Sequence, residues 1–311
     1  MTCEDAARLV LANDRFLIVT HKNPDGDTVG SASALCHALR RAGKTCFLFP
    51  NTEINRKLLP YAEDYFAPEN YQAEFTVAVD VAAADMQCRG ADFTYNLLVD
   101  HHPTNPGYAD NNLIMADRSS CGEIVADLIE AVHGDIDKTE ANLLYIAVST
   151  DTGCFQYANT NENTFLAAAK LVRYGAESEK LNTKFFRKVS KGRIMLEAMI
   201  YDGMKFYHDG RVVVAIITKD MISRSGADES DMDDIASLVG RIDSEVVGIT
   251  VREMDDGFSK VSMRSFEEVD SSAICRYFGG GGHKRAAGCT IEETPQKAAE
   301  LILSVVDEVY R

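Results

Sequence analysis

Three short apolar runs in the first hundred residues each stop on chemistry-bearing side chains, and this pattern constrains the chain more than any other. Phe16-Leu-Ile-Val-Thr20 leads into His21-Lys-Asn-Pro-Asp25-Gly-Asp27, Phe75-Thr-Val-Ala-Val ends in Asp80, and Asn96-Leu-Leu-Val ends in Asp100-His101-His102. Runs that are apolar on successive residues fit strands buried on both faces of a parallel sheet. Between and after them the apolar spacing turns helical, over Val29–Arg41, Ser120–Val132, Glu140–Val148 and Thr164–Tyr174, with another strand at Thr45–Phe49. Strand, helix and strand in succession predict βαβ units. Residues 1–181 are therefore read as an α/β domain with a mainly parallel sheet flanked by helices.

Residues 182–203 are read as a connecting segment, because 182–193 holds five Lys or Arg in an acidic chain. Beyond it, strands are predicted at Arg211–Thr218, Glu245–Glu253 and Phe258–Arg264, and helices at Asp233–Val239, Ser271–Phe278 and Pro295–Tyr310. A smaller C-terminal α/β domain over 204–311 follows. The acidic run Asp228–Asp234 reads as a solvated loop and helix start.

The chain has 311 residues, 46% of them apolar, enough for a sizeable core. Its 32 Lys and Arg face 48 Asp and Glu, a formal charge of -16, which disfavours a long nucleic-acid track and leaves small phosphorylated substrates open. The longest apolar run, Val212–Ile217, has six residues, far from the roughly 20 that span a bilayer. Met1–Val10 lacks the basic start and apolar run of a secretory signal. The eight cysteines contain no C-x-x-C pair and read as reduced thiols, Cys154 as packing. The expectation is a cytoplasmic protein without a membrane partner.

In α/β sheets, ligands bind at the carboxyl ends of the strands. Pro24 and Gly26 turn the chain so that His21, Asp25 and Asp27 can point one way, although this stretch alone also fits a surface turn with an Asp cap. Asp80 and Asp100-His101-His102 add groups from independent strands, and Ser149-Thr-Asp151-Thr-Gly153 adds a carboxylate after a helix. Four carboxylates gathered together repel one another and rise in pKa unless cations lie between them. With two imidazoles they suit two divalent ions, and mixed nitrogen and oxygen donors favour manganese over calcium. Such a pair activates water and neutralises phosphate oxygens, which predicts phosphoester or phosphoanhydride hydrolysis. The glycines before His283-Lys-Arg285 read as a phosphate cradle or a flexible linker. Arg264 is a candidate for bidentate phosphate recognition or a surface ion pair, and Arg118, Ser119 and Ser120 are looser candidates for the same cleft. Two other classes remain: an aspartic protease, since Asp151-Thr-Gly153 is that motif in one copy, and a nucleotide-binding module without turnover.

The series His21-x-Asn-Pro-Asp25-x-Asp27, Asp80, Asp100-His101-His102 and Asp151 resembles the four motifs of the DHH phosphoesterase superfamily. Phe278-Gly-Gly-Gly-Gly-His283-Lys-Arg-Ala-Ala-Gly288 is similar to the signature of the DHH-associated domain, and the likeness spans roughly residues 15 to 290. The resemblance implies one Mn²⁺ on His21, Asp25 and Asp80 and a second on Asp27, Asp80, His101 and Asp151, with Mg²⁺ or Co²⁺ as substitutes. It makes Asp80 the bridge, His102 a catalytic group facing the phosphate and Asp100 its orienting partner. Arg264, Gly280, Gly281, Gly282 and His283 become substrate contacts in an interdomain cleft. The implied activity is of the oligoribonuclease type, cutting very short RNA to mononucleotides, with removal of the 3′-phosphate of adenosine 3′,5′-bisphosphate as a second action. Hydrolysis of linear or cyclic signalling dinucleotides and a RecJ-like single-strand DNA exonuclease are the rivals. A family II inorganic pyrophosphatase ranks lower because of the glycine-His signature. A homodimer is left open.

Overall fold

The apolar runs of the first half become neighbouring strands of one parallel sheet. In the computed structural model, which describes residues 1–232, 234–243, 246–266 and 269–309, the strands are β1 (Phe16–Val19), β2 (Cys46–Leu48), β3 (Phe75–Val79), β4 (Leu97–Asp100) and β5 (Asn111–Ile114). Their order is β2-β1-β3-β4-β5, all parallel. Ile18, Val77, Val79, Leu97 and Val99 face one core, whereas Val19, Ala78 and Leu98 face another. The helices are α1 (Cys3–Ala12), α2 (Gly26–Arg41), α3 (Cys121–His133), α4 (Lys138–Asp151), α5 (Glu162–Arg173) and α6 (Ser178–Asn182). All six send their buried apolar residues into the first core. The second is closed by loop residues such as Cys88 and Tyr95, so the expected flanking helices cover one face and loops the other.

Helix α2 begins three residues before its expected start because Asp25 caps it, Oδ1 accepting the Thr28 N–H at 3.0 Å. α2 and α3 both approach α4 closely. A Cβ on Gly30 would lie 2.4 Å from the Leu143 carbonyl oxygen, and one on Gly122 would lie 2.5 Å from the Ala147 Cβ. At the C-terminal end of α2, Arg41 forks onto Glu140 of α4 with Nε and Nη2 both at 3.0 Å, while His37 Nε2 meets Asp137 Oδ2 at 3.0 Å. Glu140 is fully buried.

The chain divides into two compact units, Met1–Lys188 and Val189–Arg311. The division falls within the expected connecting segment, residues 182–203, which holds a π-helical turn (Thr183–Arg187) and α7 (Lys191–Asp202). Two of its five basic residues are anchored: Lys184 Nζ sits 4.3 Å from the Tyr61 ring centroid, and Arg193 is buried with Nε 2.6 Å from Glu197. The second unit continues with β6 (Lys205–Tyr207), β7 (Val212–Ile217), α8 (Lys219–Ser225), β8 (Val247–Glu253), β9 (Ser259–Ser265), α9 (Ser271–Arg276), β10 (Gly281–His283), β11 (Ala286–Ile291) and α10 (Pro295–Val309). Its sheet order is β10-β11-β9-β8-β7-β6, with only β7 and β8 parallel. β7 shows the period of two: Val212 and Val214 face the core that includes α9 and α10, while Val213, Ala215 and Ile217 join Leu196 and Ile200 of α7.

Ile235–Arg241 forms a 3₁₀ stretch where a helix was expected. Asp233, Glu245 and Tyr310, which end three predicted elements, lie outside the described residues. All eight cysteines are free thiols, and no described helix is long and apolar enough to cross a membrane.

Arg41→Ala strands the buried Glu140 carboxylate and removes the tie between the ends of α2 and α4. The expected loss is about 3 kcal/mol, measured as a lower urea midpoint.

Candidate metal centre

Strand order 2-1-3-4-5 reverses direction between β1 and β3, and a crevice opens outside the carboxyl ends of strands at such a point. His21, Asp25 and Asp27 follow β1, Asp80 follows β3, and Asp100, His101 and His102 stand at the end of β4. α4 delivers Asp151 as its last residue. These groups meet. Donor atoms of His21, Asp25 and Asp80 lie within 4.8 Å of one another, as do those of Asp27, His101 and Asp151.

Asp80 stands between the two groups. Its Oδ2 is 3.8 Å from His21 Nε2, and its Oδ1 is 3.6 Å from His101 Nε2. His101 Nε2 also lies 3.7 Å from Asp27 and 4.0 Å from Asp151. These separations exceed a hydrogen bond. Both imidazoles donate Nδ1–H to a backbone carbonyl, His21 to Lys22 at 2.6 Å and His101 to Arg118 at 3.3 Å. A carbonyl only accepts, so Nδ1 carries a proton in each ring, and in the neutral ring the Nε2 lone pair is the one turned on the carboxylate oxygens. Asp80 Oδ1 is buried without a hydrogen-bond partner among the described residues. Lone pairs turned on lone pairs around an orphaned oxygen form a donor set for cations, and the mixed nitrogen and oxygen donors fit the divalent ions expected.

The electrostatics agree. Burial, then the charges of Asp80, Asp151 and Asp25, pushes the Asp27 carboxyl well above the ordinary range. Burial and the Asp25 charge raise Asp80, and burial foremost raises Asp151 to about 6. Asp100 goes the other way. Burial works against its charge, but hydrogen bonds from His102, Asn105 and the His101 N–H hold it below the usual value. His102 donates Nδ1–H to Asp100 Oδ1 at 2.8 Å, and this bond lifts the imidazole to about 9. With Nδ1 so engaged, His102 has only Nε2 for a substrate.

Sequence reasoning missed several supporting groups. Thr28 Oγ1 donates to Asp80 Oδ2 at 2.6 Å. Asp27 accepts the Cys121 and Gly122 N–H groups at 2.7 and 2.9 Å, at the start of α3. Asn159 Nδ2 donates to Asp151 Oδ2 at 3.1 Å, and Asn105 donates to Asp100. Only Thr28 carried a signal, three residues after a capping Asp. The looser substrate candidates have partners of their own. The Arg118 guanidinium pairs with Asp127 at 2.9 Å and Glu123 at 3.6 Å, and its carbonyl rather than its side chain serves the site. Ser119 is buried and donates to Glu123, and buried Ser120 caps α3. A third carboxylate group, His37 with Asp137 and Glu140, is structural: His37 Nδ1 is also taken, by Tyr65 at 3.0 Å.

In the second unit the glycine run is a turn into a hairpin. Gly279 has φ +70° and Gly282 φ +135°, and a Cβ on Gly280 would lie 2.2 Å from the Gly288 oxygen. The Gly280 N–H is spent on the Cys275 carbonyl at 3.0 Å, so the backbone explains these glycines without a phosphate, whereas Gly281 has open space. Arg264 pairs in register with Ala286, which pairs with His283. Arg264 and His283 therefore share one sheet face across a small residue. Arg264 makes no ion pair among the described residues, its Nη1 donating to the Met263 carbonyl at 3.2 Å.

Residues 15–148 match the DHH family, N-terminal domain, and residues 209–311 match the DHHA1 domain. The bifunctional oligoribonuclease and PAP phosphatase NrnA of Thermus thermophilus is 31% identical over 295 residues, covering 94% of this chain and 89% of its own. NrnA of Bacillus subtilis is 27% identical, with 91% of each chain covered. The solved structure of an exopolyphosphatase-related protein from Bacteroides fragilis has the same fold, at TM-score 0.87 and 22% identity over 98% of this chain and 96% of its own.

Asp80→Asn keeps the side-chain shape, and Asn tolerates the φ of 58° found there. It removes one of the crowded charges, so the metal-free variant should melt higher than wild type, by about 2–4 °C per kcal/mol of relieved repulsion. Added Mn²⁺ should stabilise wild type by about 2.7 kcal/mol at a hundredfold excess over Kd and the variant hardly at all, as read by calorimetry.

Proposed function

The chain belongs to the DHH family, and on that premise we propose that it is a metal-dependent phosphodiesterase that hydrolyses very short oligoribonucleotides to mononucleotides and removes the 3′-phosphate of adenosine 3′,5′-bisphosphate. The observation that carries this reading is Asp80, whose oxygens face two separate groups of donors, His21 on one side and His101 on the other. The names of the relatives indicate which phosphoesters to test first.

His21, Asp25 and Asp80 would hold one ion and Asp27, Asp80, His101 and Asp151 the other, with manganese the best match to the mixed donors. Bound ions of this kind lower the pKa of water and neutralise phosphate oxygens. The chain's own residues do the rest. Asp100 fixes His102 through Nδ1, so that Nε2 can give a proton to the departing oxygen or hold charge on the phosphate. Asn159, Thr28 and the first N–H groups of α3 fix the carboxylates before substrate arrives, which spares reorganisation during the reaction. Arg264 and His283 take a substrate phosphate on the second sheet, Arg264 as a fork.

Incubation with a 5′-phosphorylated RNA dinucleotide and Mn²⁺ should release mononucleotides, and a chelated sample should release none. Absence of products with Mn²⁺ would overturn the reading, while cleavage that survives chelation would overturn the metal assignment. Arg264→Ala should raise KM about tenfold, the loss of roughly 1.4 kcal/mol of uniform binding, with a smaller effect on kcat. A fall confined to kcat would place Arg264 in the transition state instead.

A further inference from the structure

The second sheet packs one face under α9 and α10, and the other is only partly covered. The 3₁₀ stretch Ile235–Arg241 lies over its middle, where Thr250 is buried and donates to the Ala236 carbonyl at 3.3 Å. Over β9 and β11 the cover thins, Lys260 and Thr290 being exposed and Ser262, Arg264, Ala286 and Gly288 half-buried. Alternate residues of β9 bring Lys260, Ser262 and Arg264 to it, and the register sets Thr290, Gly288 and Ala286 of β11 beside them. None of these six is acidic, in a chain with 48 acids to 32 bases. The β11 residues are small, so the cations stand over a low floor.

Two depressions lie along this face and share Lys260. One, of about 250 Å³, runs to Arg264 with Arg252 and the carboxylate of Asp234 also in its lining, and the other, of about 480 Å³, runs to Gly281 and Phe278. Lys260 is exposed and makes no ion pair among the described residues. Arg264 lies four residue steps from it, about 14 Å along the strand, more than a single phosphate group spans. Past Lys260 the sign of the charge changes. On this face Arg252 stands opposite Lys260, and past the strand ends come the exposed Asp255, which pairs with Lys219 at 2.6 Å, Glu292 and Glu293.

We propose that this face is a track for the backbone of a short single-stranded oligonucleotide, on which Arg264 takes one phosphate, Lys260 takes a later one, and the acids beyond Lys260 end the track. The proposal rests on the phosphodiesterase reading for its ligand. Lys260 then sets how strongly the protein prefers longer members of its substrate class, because only they reach it.

The test compares 3′-labelled RNAs of two and five nucleotides by fluorescence anisotropy with chelator present, and by cleavage with Mn²⁺, for wild type, Lys260→Gln and Lys260→Arg. Wild type should bind the pentanucleotide more tightly than the dinucleotide. Lys260→Gln should shrink that ratio about fivefold and make the salt dependence of pentanucleotide binding shallower by about 0.7 in log–log slope, as for one lost phosphate contact, and Lys260→Arg should restore both. Equal loss at both lengths, no loss, or no binding at either length would overturn the track. If the length effect holds while Mn²⁺ supports no cleavage, the activity fails and the track stands. Cleavage with an intact length preference in Lys260→Gln gives the reverse.

Discussion

Buried negative charge organises the first unit. Asp27 and Asp80 are almost wholly out of water, and burying carboxylates without partners is expensive. The fold surrounds them with oriented donors instead of neutralising them with lysines. Asp27 receives the first N–H groups of α3, which have no partners inside the helix. Asp80 receives a hydroxyl from Thr28 and is fixed by its own N–H on the Val99 carbonyl at 2.9 Å, in a left-handed conformation that costs about 1–2 kcal/mol. These donors oppose the upward push of burial on both carboxyls and leave one oxygen for a cation. Such a site gains most of its stability when the cations arrive.

The helices are placed to serve that cluster. α2 and α3 present their N-termini, where anions are favoured, and α4 ends in Asp151. Gly30 and Gly122 let α2 and α3 lie close enough to α4 for those ends to converge. A larger side chain at either position would move ligands that lie far from it in sequence, so packing and chemistry here are one constraint.

The candidate metal donors were legible in sequence because they stand at the borders of regular elements, Asp25 and Asp27 at the start of α2. Asp80 and Asp100 end apolar strands, Asp151 ends a helix, and a strand or helix end is a position that periodicity locates. Arg118, Ser119 and Ser120 sit in a turn, where identity alone does not say whether a side chain faces substrate or caps the next helix, and the structure shows capping and ion pairing. α1 and β5 carried little signal. β5 has one fully buried residue, Leu113, too few to make a run. The glycine run was legible as a special backbone, but its reason was not. A β-hairpin needs strands that can approach each other, and glycines at 280 and 282 meet that need before any ligand does. Residues 182–203 look like a linker by charge, yet Lys184 and Arg193 are spent on contacts within their own units.

α2 and α4 are joined at both ends, by Arg41 and Glu140 at one and by the carboxylate cluster at the other. Without cations the first join holds while the second repels. The metal-free protein should therefore open from the crevice end, with amide hydrogens of the first turn of α2 and the last turn of α4 exchanging ahead of those beside Arg41. Cations would act as a bolt that makes the two helices a single cooperative block. Occupancy of the crevice would then be felt about 24 Å away, the length of the 16-residue α2 at 1.5 Å per residue, without any change of shape along the way.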